Sequence, residues 1–174
     1  MTEQFDIMDR CGNPTGLVAD KGSALHPGQY YHGTHVYVYN MAMEFLLQQR
    51  AYDKEFLPGG WDIVCEHTIA GESPAECAIR GVREEIGLCA TENDLQFVQR
   101  FIWEEYNHIV DVFFFQTDFD LDKLILEEGK VIGAKKVSAQ EMIELIETMH
   151  YRPEEYRKHI ADEIKCRAYR SESC

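Results

Sequence analysis

The chain has 174 residues, 45% of them apolar and 28% charged, which suits one compact domain with a sizeable core. Acidic residues number 31 against 17 basic ones, and the formal charge of −14 repels phosphate backbones and excludes generic nucleic-acid binding. The opening MTEQFDIMDR has neither a basic nor an apolar segment, and no run reaches the roughly eighteen apolar residues of a membrane span, so a cytoplasmic protein with no membrane partner is expected.

Residues 1–33 are expected to form a loop-rich entry, because 10–33 concentrate Gly, Pro, Asn and His. Residues 34–40 (THVYVYN) and 44–49 (EFLLQQ) are β-branched, aromatic and apolar runs across a short gap, the pattern of a hairpin. Pro58, Gly59 and Gly60 break the chain before a short strand near 61–65. Further strands are expected at 95–103, 109–116 (IVDVFFFQ) and 130–137. The last runs into a helix that begins with a Ser138/Glu141 capping box and carries Met142, Leu145, Ile146 and Met149 on one stripe. A C-terminal helix over 153–174 starts at Pro153 and spaces Tyr156, Ile160 and Ile164 for one packed face. Cysteines 11, 65, 77, 89, 166 and 174 form no CxxC pair or zinc-ligand spacing, so reduced thiols are expected.

The stretch with chemistry in it is 65–88, CEHTIAGESPAECAIRGVREEIGL. Ser73 is placed to cap a helix, Pro74 to open it, Glu76 to complete the capping box and Gly87 to stop it. Ala75, Ala78, Ile79, Val82 and Ile86 recur at helical steps and mark the face to be buried. On the opposite side, Glu84 and Glu85 are adjacent in the last turn, where the helix dipole disfavours each by roughly 0.3 to 1 kcal/mol. Arg80 pairs with Glu84 across one turn, which leaves carboxylate oxygens for a hard divalent cation, Mg2+ or Mn2+; a solvated acidic helix end is the alternative.

This stretch resembles the Nudix box: Gly, five residues, Glu, seven residues, then Arg-Glu-apolar-any-Glu-Glu-any-Gly-apolar. Glu72, Arg80, Val82, Glu84, Glu85, Gly87 and Leu88 fall on it. QFDIMDRCGNPTG, the series His26, His32 and His35, LLQQRAYDKEFLPGGWDI and the AGES before the helix are similar to the branch that includes isopentenyl diphosphate isomerases and their hydrolase relatives. The resemblance implies an α/β fold, an α/β/α sandwich around a mixed β-sheet, with 1–174 as a single domain. It further implies metal-assisted hydrolysis of a nucleoside diphosphate-linked or other small diphosphate. Glu72, Glu84, Glu85 and His67 would then be metal ligands, with Arg80 orienting a carboxylate. The isomerase pattern would make Cys65 a proton-transfer residue in the substrate site and would place Lys21, Arg50 and Lys54 on the diphosphate.

Two box positions depart from the pattern: the Glu expected after Arg80 is Gly81, and the opening Gly is Glu66. The run between Trp61 and Glu66 is also one residue short of the family's usual length. The two substitutions are opposite in volume and equal in charge, so the acid missing at 81 is expected to be relocated to Glu66, with Glu104, Glu105 and Asp111 as other candidate bases. Trp103, Glu104, Glu105 and Tyr106 are candidates for the pocket wall. Three readings follow: a metal-dependent diphosphate hydrolase, an isopentenyl diphosphate isomerase, and an inactive ligand-binding module. The isomerase needs a Glu two positions before an acidic residue on the late strand, where this chain has Ile109 before Asp111. The acidic pI leaves the oligomeric state, a homodimer included, open.

Overall fold

Strand alternation at the centre of the chain decides the layers. In a computed structural model describing residues 3–172, Val36 and Val38 of one strand face one side while Tyr37 and Tyr39 face the other, and all four are buried. The same split separates Phe113 and Phe115 from Val110, Val112 and Phe114 on the strand beside it. Strands apolar on both faces need helices on both.

The elements in chain order are β1 (Gln4–Met8), β2 (Pro14–Asp20), β3 (Tyr31–Tyr39), β4 (Glu44–Arg50), β5 (Trp61–Asp62), β6 (Val64–His67) and α1 (Pro74–Ile86). They continue with β7 (Leu95–Trp103), β8 (His108–Gln116), β9 (Val131–Ser138), α2 (Ala139–Thr148) and α3 (Glu154–Glu172). The large sheet runs β5-β4-β3-β8-β7, with β6 paired to β3 and β9 to β4. It is mixed, because β3 and β8 are parallel from Tyr31↔His108 to Tyr39↔Gln116 while β7 and β8 are antiparallel. One core places Ala78, Val82 and Ile86 of α1 on Val36, Val38 and Val64; the other places Met142, Ile146, Tyr156, Ile160 and Ile164 on Tyr37, Phe45 and Phe114. The expected α/β/α sandwich is therefore formed.

The β3–β4 hairpin pairs only at its closed end, Tyr39↔Phe45. Beyond that point the strands diverge, because β6 takes the edge of β3 while β5 and β9 pair with β4. The opening between them lies beside the end of α1. The strand expected near 61–65 is accordingly split into β5 and β6, on different partners.

Two expectations need correction. The entry is not mostly turns, since β1 and β2 pair antiparallel from Gln4↔Asp20 to Met8↔Pro14, and PTGLVAD, an almost wholly exposed strand, carries no buried-face pattern to set against its turn-forming residues. Glu85 does not lie opposite the buried face of α1. It is 5% exposed and shares that face with Cys77, Ala78, Gly81 and Val82, while Ala75 and Ile79 are only half-buried. The Pro153 helix forms as expected apart from Ser173 and Cys174, which lie outside the described residues, as do Met1 and Thr2.

The capping of α1 matches its sequence: the Ser73 side chain accepts from Glu76 N, the Glu76 carboxylate accepts from Ser73 N at 2.8 Å, and Gly87 closes the helix at φ 72°. Ser73→Ala is expected to cost about 1 kcal/mol, read as a lower denaturation midpoint.

Candidate active site

A cleft of about 770 Å3 opens where β3 and β4 diverge. Seven of the residues singled out by sequence line it: Lys21, Arg50, Lys54, Cys65, Glu66, His67 and Glu85. Trp103 and Tyr106 form part of its wall, as expected. Arg80, Glu72 and Glu84 lie behind that wall, joined to it through Glu66.

Arg80 is the hub of this arrangement. Its Nε donates to Glu72 Oε1 at 2.8 Å, and its Nη2 donates to Glu72 Oε2 at 2.9 Å and to the His67 carbonyl at 2.7 Å. Its Nη1 faces Glu84 Oε2 at 3.4 Å and Glu66 Oε2 at 3.6 Å. The bidentate partner is thus Glu72, held further by Ile69 N at 3.1 Å, rather than Glu84, which stays at the surface beside Arg83.

Glu85 points the other way, into the protein, where Gln48 Nε2 donates to its Oε2. Burial, with Glu66 and Glu127 adding negative charge, pushes its carboxyl up to about 8. The Oε1 of Gln48, a residue 3% exposed, has no hydrogen-bond partner.

Glu66 occupies the space beside Gly81. A Cβ added at 81 would come within 3.1 Å of Glu66 Cβ and 3.2 Å of Val64 Cγ1. The Glu66 carboxylate accepts from His67 N at 3.0 Å through Oε1 and meets Lys130 Nζ at 3.3 Å through Oε2. Across the strand pair, Gly33 leaves room for β6 and for His108, since a Cβ there would fall 2.9 Å from Glu66 O and 3.2 Å from His108 Nε2.

On the far side of the cleft the side chains are committed to one another. Arg152, 3% exposed, donates to Asp62 Oδ1 and to the hydroxyls of Tyr37 and Tyr156, with Cys65 Sγ at 3.5 Å. Burial and the Asp62 carboxylate push the Cys65 thiol well up, so it stays protonated. His67 stacks between Phe5 and His108, and burial lowers both imidazoles, His108 to about 3. His35 is held by Tyr156 OH at 2.7 Å, and His32 by Asp111 at 3.1 Å.

A model of the NUDIX domain matches residues 30–160. The chain belongs to the Nudix family. It is 28% identical over 141 residues to an uncharacterised Nudix hydrolase of Listeria monocytogenes, covering 80% of this chain and 82% of that one. It is 36% identical over 86 residues to the isopentenyl-diphosphate Delta-isomerase of Pectobacterium atrosepticum, covering 48% of each chain. A crystal structure from Deinococcus radiodurans superposes with a TM-score of 0.70 over 94% of this chain and 98% of that one, at 15% identity, which is a likeness of fold.

Nudix hydrolases use divalent metals, and the acidic side of the cleft suits one. Its donors are hard carboxylate oxygens, its charge is in excess, and Gln48 Oε1 is an unpaired buried acceptor beside Glu85. Among the described residues no three carboxylate, imidazole or thiol groups stand close enough to be a formed metal site. The reason is visible in the ion pairs: Glu66 is drawn to Arg80 and Lys130, Glu72 to Arg80, and Glu85 to Gln48. For these side chains to share a metal, they would have to rotate out of those pairs.

The other carboxylates named from sequence are spoken for. Glu104 binds Arg10 at 2.6 Å and the Tyr30 hydroxyl. Asp111 accepts from Arg100 Nε and Nη2, both at 2.7 Å, and from His32. Glu105 is exposed and does not line the cleft. Sequence reasoning missed Gln48, Glu127, Lys130 and Arg152. Gln48 carried a signal, as a polar residue inside an apolar strand run; the others follow from the return of β9 and the α2–α3 turn to the cleft, which no local pattern announces.

Proposed function

We propose that this Nudix protein is a divalent-metal-dependent hydrolase of a small diphosphate, its acidic residues holding the metal and its basic ones the phosphates. The observation that supports this reading is one cleft lined both by the carboxylates Glu66 and Glu85 and by the cations Lys21, Arg50 and Lys54, with Asp53 and Glu55 flanking Lys54 and Lys21 also paired to Glu3 at 2.7 Å. Lys54 extends from the loop after β4, and Arg50 is braced by the Phe56 carbonyl at 2.9 Å, so the two charges face the cleft from one short segment.

Glu85 and Glu66 would hold Mg2+ or Mn2+ from the cleft, whereas Glu84, at the surface beside Arg83, and Glu72, bound by Arg80, would have to turn to join them, and His67 is the remaining family candidate. The ion would supply charge neutralisation at the phosphoryl oxygens and a water of lowered pKa. Arg80 sets the carboxylates by bonding Glu72, Glu84 and Glu66 together. Glu66 takes the role of the absent acid at 81, accepting a proton from the attacking water from its place beside Gly81.

The isomerase reading fares less well. It asks for a proton acceptor across the cleft from Cys65, and this chain offers Ile109, fully buried, and Asp111, locked by Arg100 and His32. The test is an assay of nucleotide sugars, dinucleoside polyphosphates and isopentenyl diphosphate with Mg2+ or Mn2+. The expected result is metal-dependent release of a phosphorylated product from a diphosphate, without isomerisation. Isomerisation of isopentenyl diphosphate, or ligand binding without turnover of any substrate, would overturn it in favour of the isomerase or the inactive module.

A further inference from the structure

Lys130 stands immediately before β9, and its ammonium sits inside the acidic side of the cleft. Nζ is 3.3 Å from Glu66 Oε2 and 3.2 Å from Glu127 Oε2. Its field also reaches Glu85, lowering the carboxyl that Glu66 and Glu127 raise. Glu127 is tied to the same place by its backbone, since its N donates to the Glu85 carbonyl at 3.1 Å. Two carboxylates thus hold one lysine beside the buried Glu85, where the proposed reaction calls for a metal. The backbone of Lys130 faces the cationic side as well: its carbonyl accepts from Ala51 N at 2.9 Å, next to Arg50. The side chain is about a third exposed and lines the same cleft as Arg50 and Lys54, so its head can exchange carboxylate partners for a ligand bound there.

We propose that Lys130 is a resident counter-cation that a divalent metal displaces, and that the displaced ammonium then binds the substrate's phosphate oxygens. This rests on the metal-dependent reading of the cleft. Like charges compete for one set of carboxylates, so the lysine and the ion do not share Glu66 and Glu127 without cost. Once expelled, the ammonium has Arg50 and Lys54 as neighbours, and an anionic diphosphate is what holds such a set of cations together. Metal and phosphate binding become coupled: the metal releases the lysine, and the phosphate holds it away.

Calorimetric titration of Mg2+ alone into wild type, Lys130→Met and Lys130→Arg tests this. Lys130→Met is expected to bind Mg2+ roughly five- to tenfold more tightly, and Lys130→Arg to stay close to wild type. In saturating Mg2+, Lys130→Met is expected to bind methylenediphosphonate, a non-hydrolysable diphosphate, about fivefold more weakly. A lysine that merely braced the fold would not move the two affinities in opposite directions. If Lys130→Met does not fold, Lys130→Gln supplies the same comparison. Mg2+ affinity unchanged or weakened in these variants overturns the proposal, as does unchanged methylenediphosphonate binding. Both shifts present in a protein that hydrolyses no diphosphate would instead uphold the role of Lys130 and remove the hydrolase reading.

Discussion

Glu85→Gln is expected to lower metal-dependent turnover by roughly three orders of magnitude while making the metal-free protein more stable. Glu85 is buried at the end of α1 with Glu66 and Glu127 nearby and one amide donor, Gln48, in contact. An ion would compensate that charge; without one, burial keeps the carboxyl protonated up to about pH 8, and taking up that proton costs the folded state stability at neutral pH. Glutamine keeps the shape, accepts from Gln48 Nε2 as before, and brings an N–H that suits the unpaired Gln48 Oε1. The relief is expected to be roughly 1 to 3 kcal/mol, read by chemical denaturation in chelator. The same variant should lose the upward shift in melting temperature that Mg2+ gives wild type. A Glu85→Gln protein that keeps its turnover and its response to Mg2+ would show that the metal is held elsewhere.

Glu66 and Gly81 are expected to behave as one unit. Glu66→Gln should reduce turnover by roughly 10^3-fold, because the amide cannot accept a proton from water while its packing beside Gly81 is unchanged. Gly81→Glu alone should destabilise by about 1 to 3 kcal/mol, since its Cβ would press on Glu66 Cβ at 3.1 Å and Val64 Cγ1 at 3.2 Å. Adding Glu66→Gly removes the closer of the two contacts, leaving that with Val64, and keeps one carboxylate in the same region, so the double variant should recover turnover and part of the stability. Kinetics and denaturation on the four proteins of this cycle measure the coupling directly. Turnover indifferent to Glu66→Gln would move the base to another carboxylate, with Glu127, beside Glu66 across Lys130, tested before Glu104 and Asp111, which arginines engage.

The capped helix and the strand runs were readable because their signals are local. Ser73, Pro74, Glu76 and Gly87 act within one turn of themselves, and the two-faced apolar run at 109–116 needs no knowledge of its neighbours to be a buried strand. The entry was misread for the converse reason: Gly12 and Gly16 adopt positive φ in a short hairpin whose residues are those of turns, and pairing rather than composition made it a sheet.

For the site, sequence by itself nominated the residues of the box and its departures. The box spacing marked Arg80, Glu84 and Glu85, and the two departures at Glu66 and Gly81 were visible as an exchange of volume and charge. Only the tertiary structure decided how they are deployed. Because β6 takes the edge of β3 while β5 and β9 pair with β4, the two strands part and the cleft opens, and the same β6 packs Glu66 against Gly81. Arg80 bonds Glu72 bidentately because that carboxylate is fixed in reach of two guanidinium nitrogens at once, whereas Glu84 lies at the surface between Arg80 and Arg83. Lys130 enters the carboxylate cluster because β9 pairs with β4 across the full hairpin, a long-range register that follows from burying both strand faces and is written in no single segment.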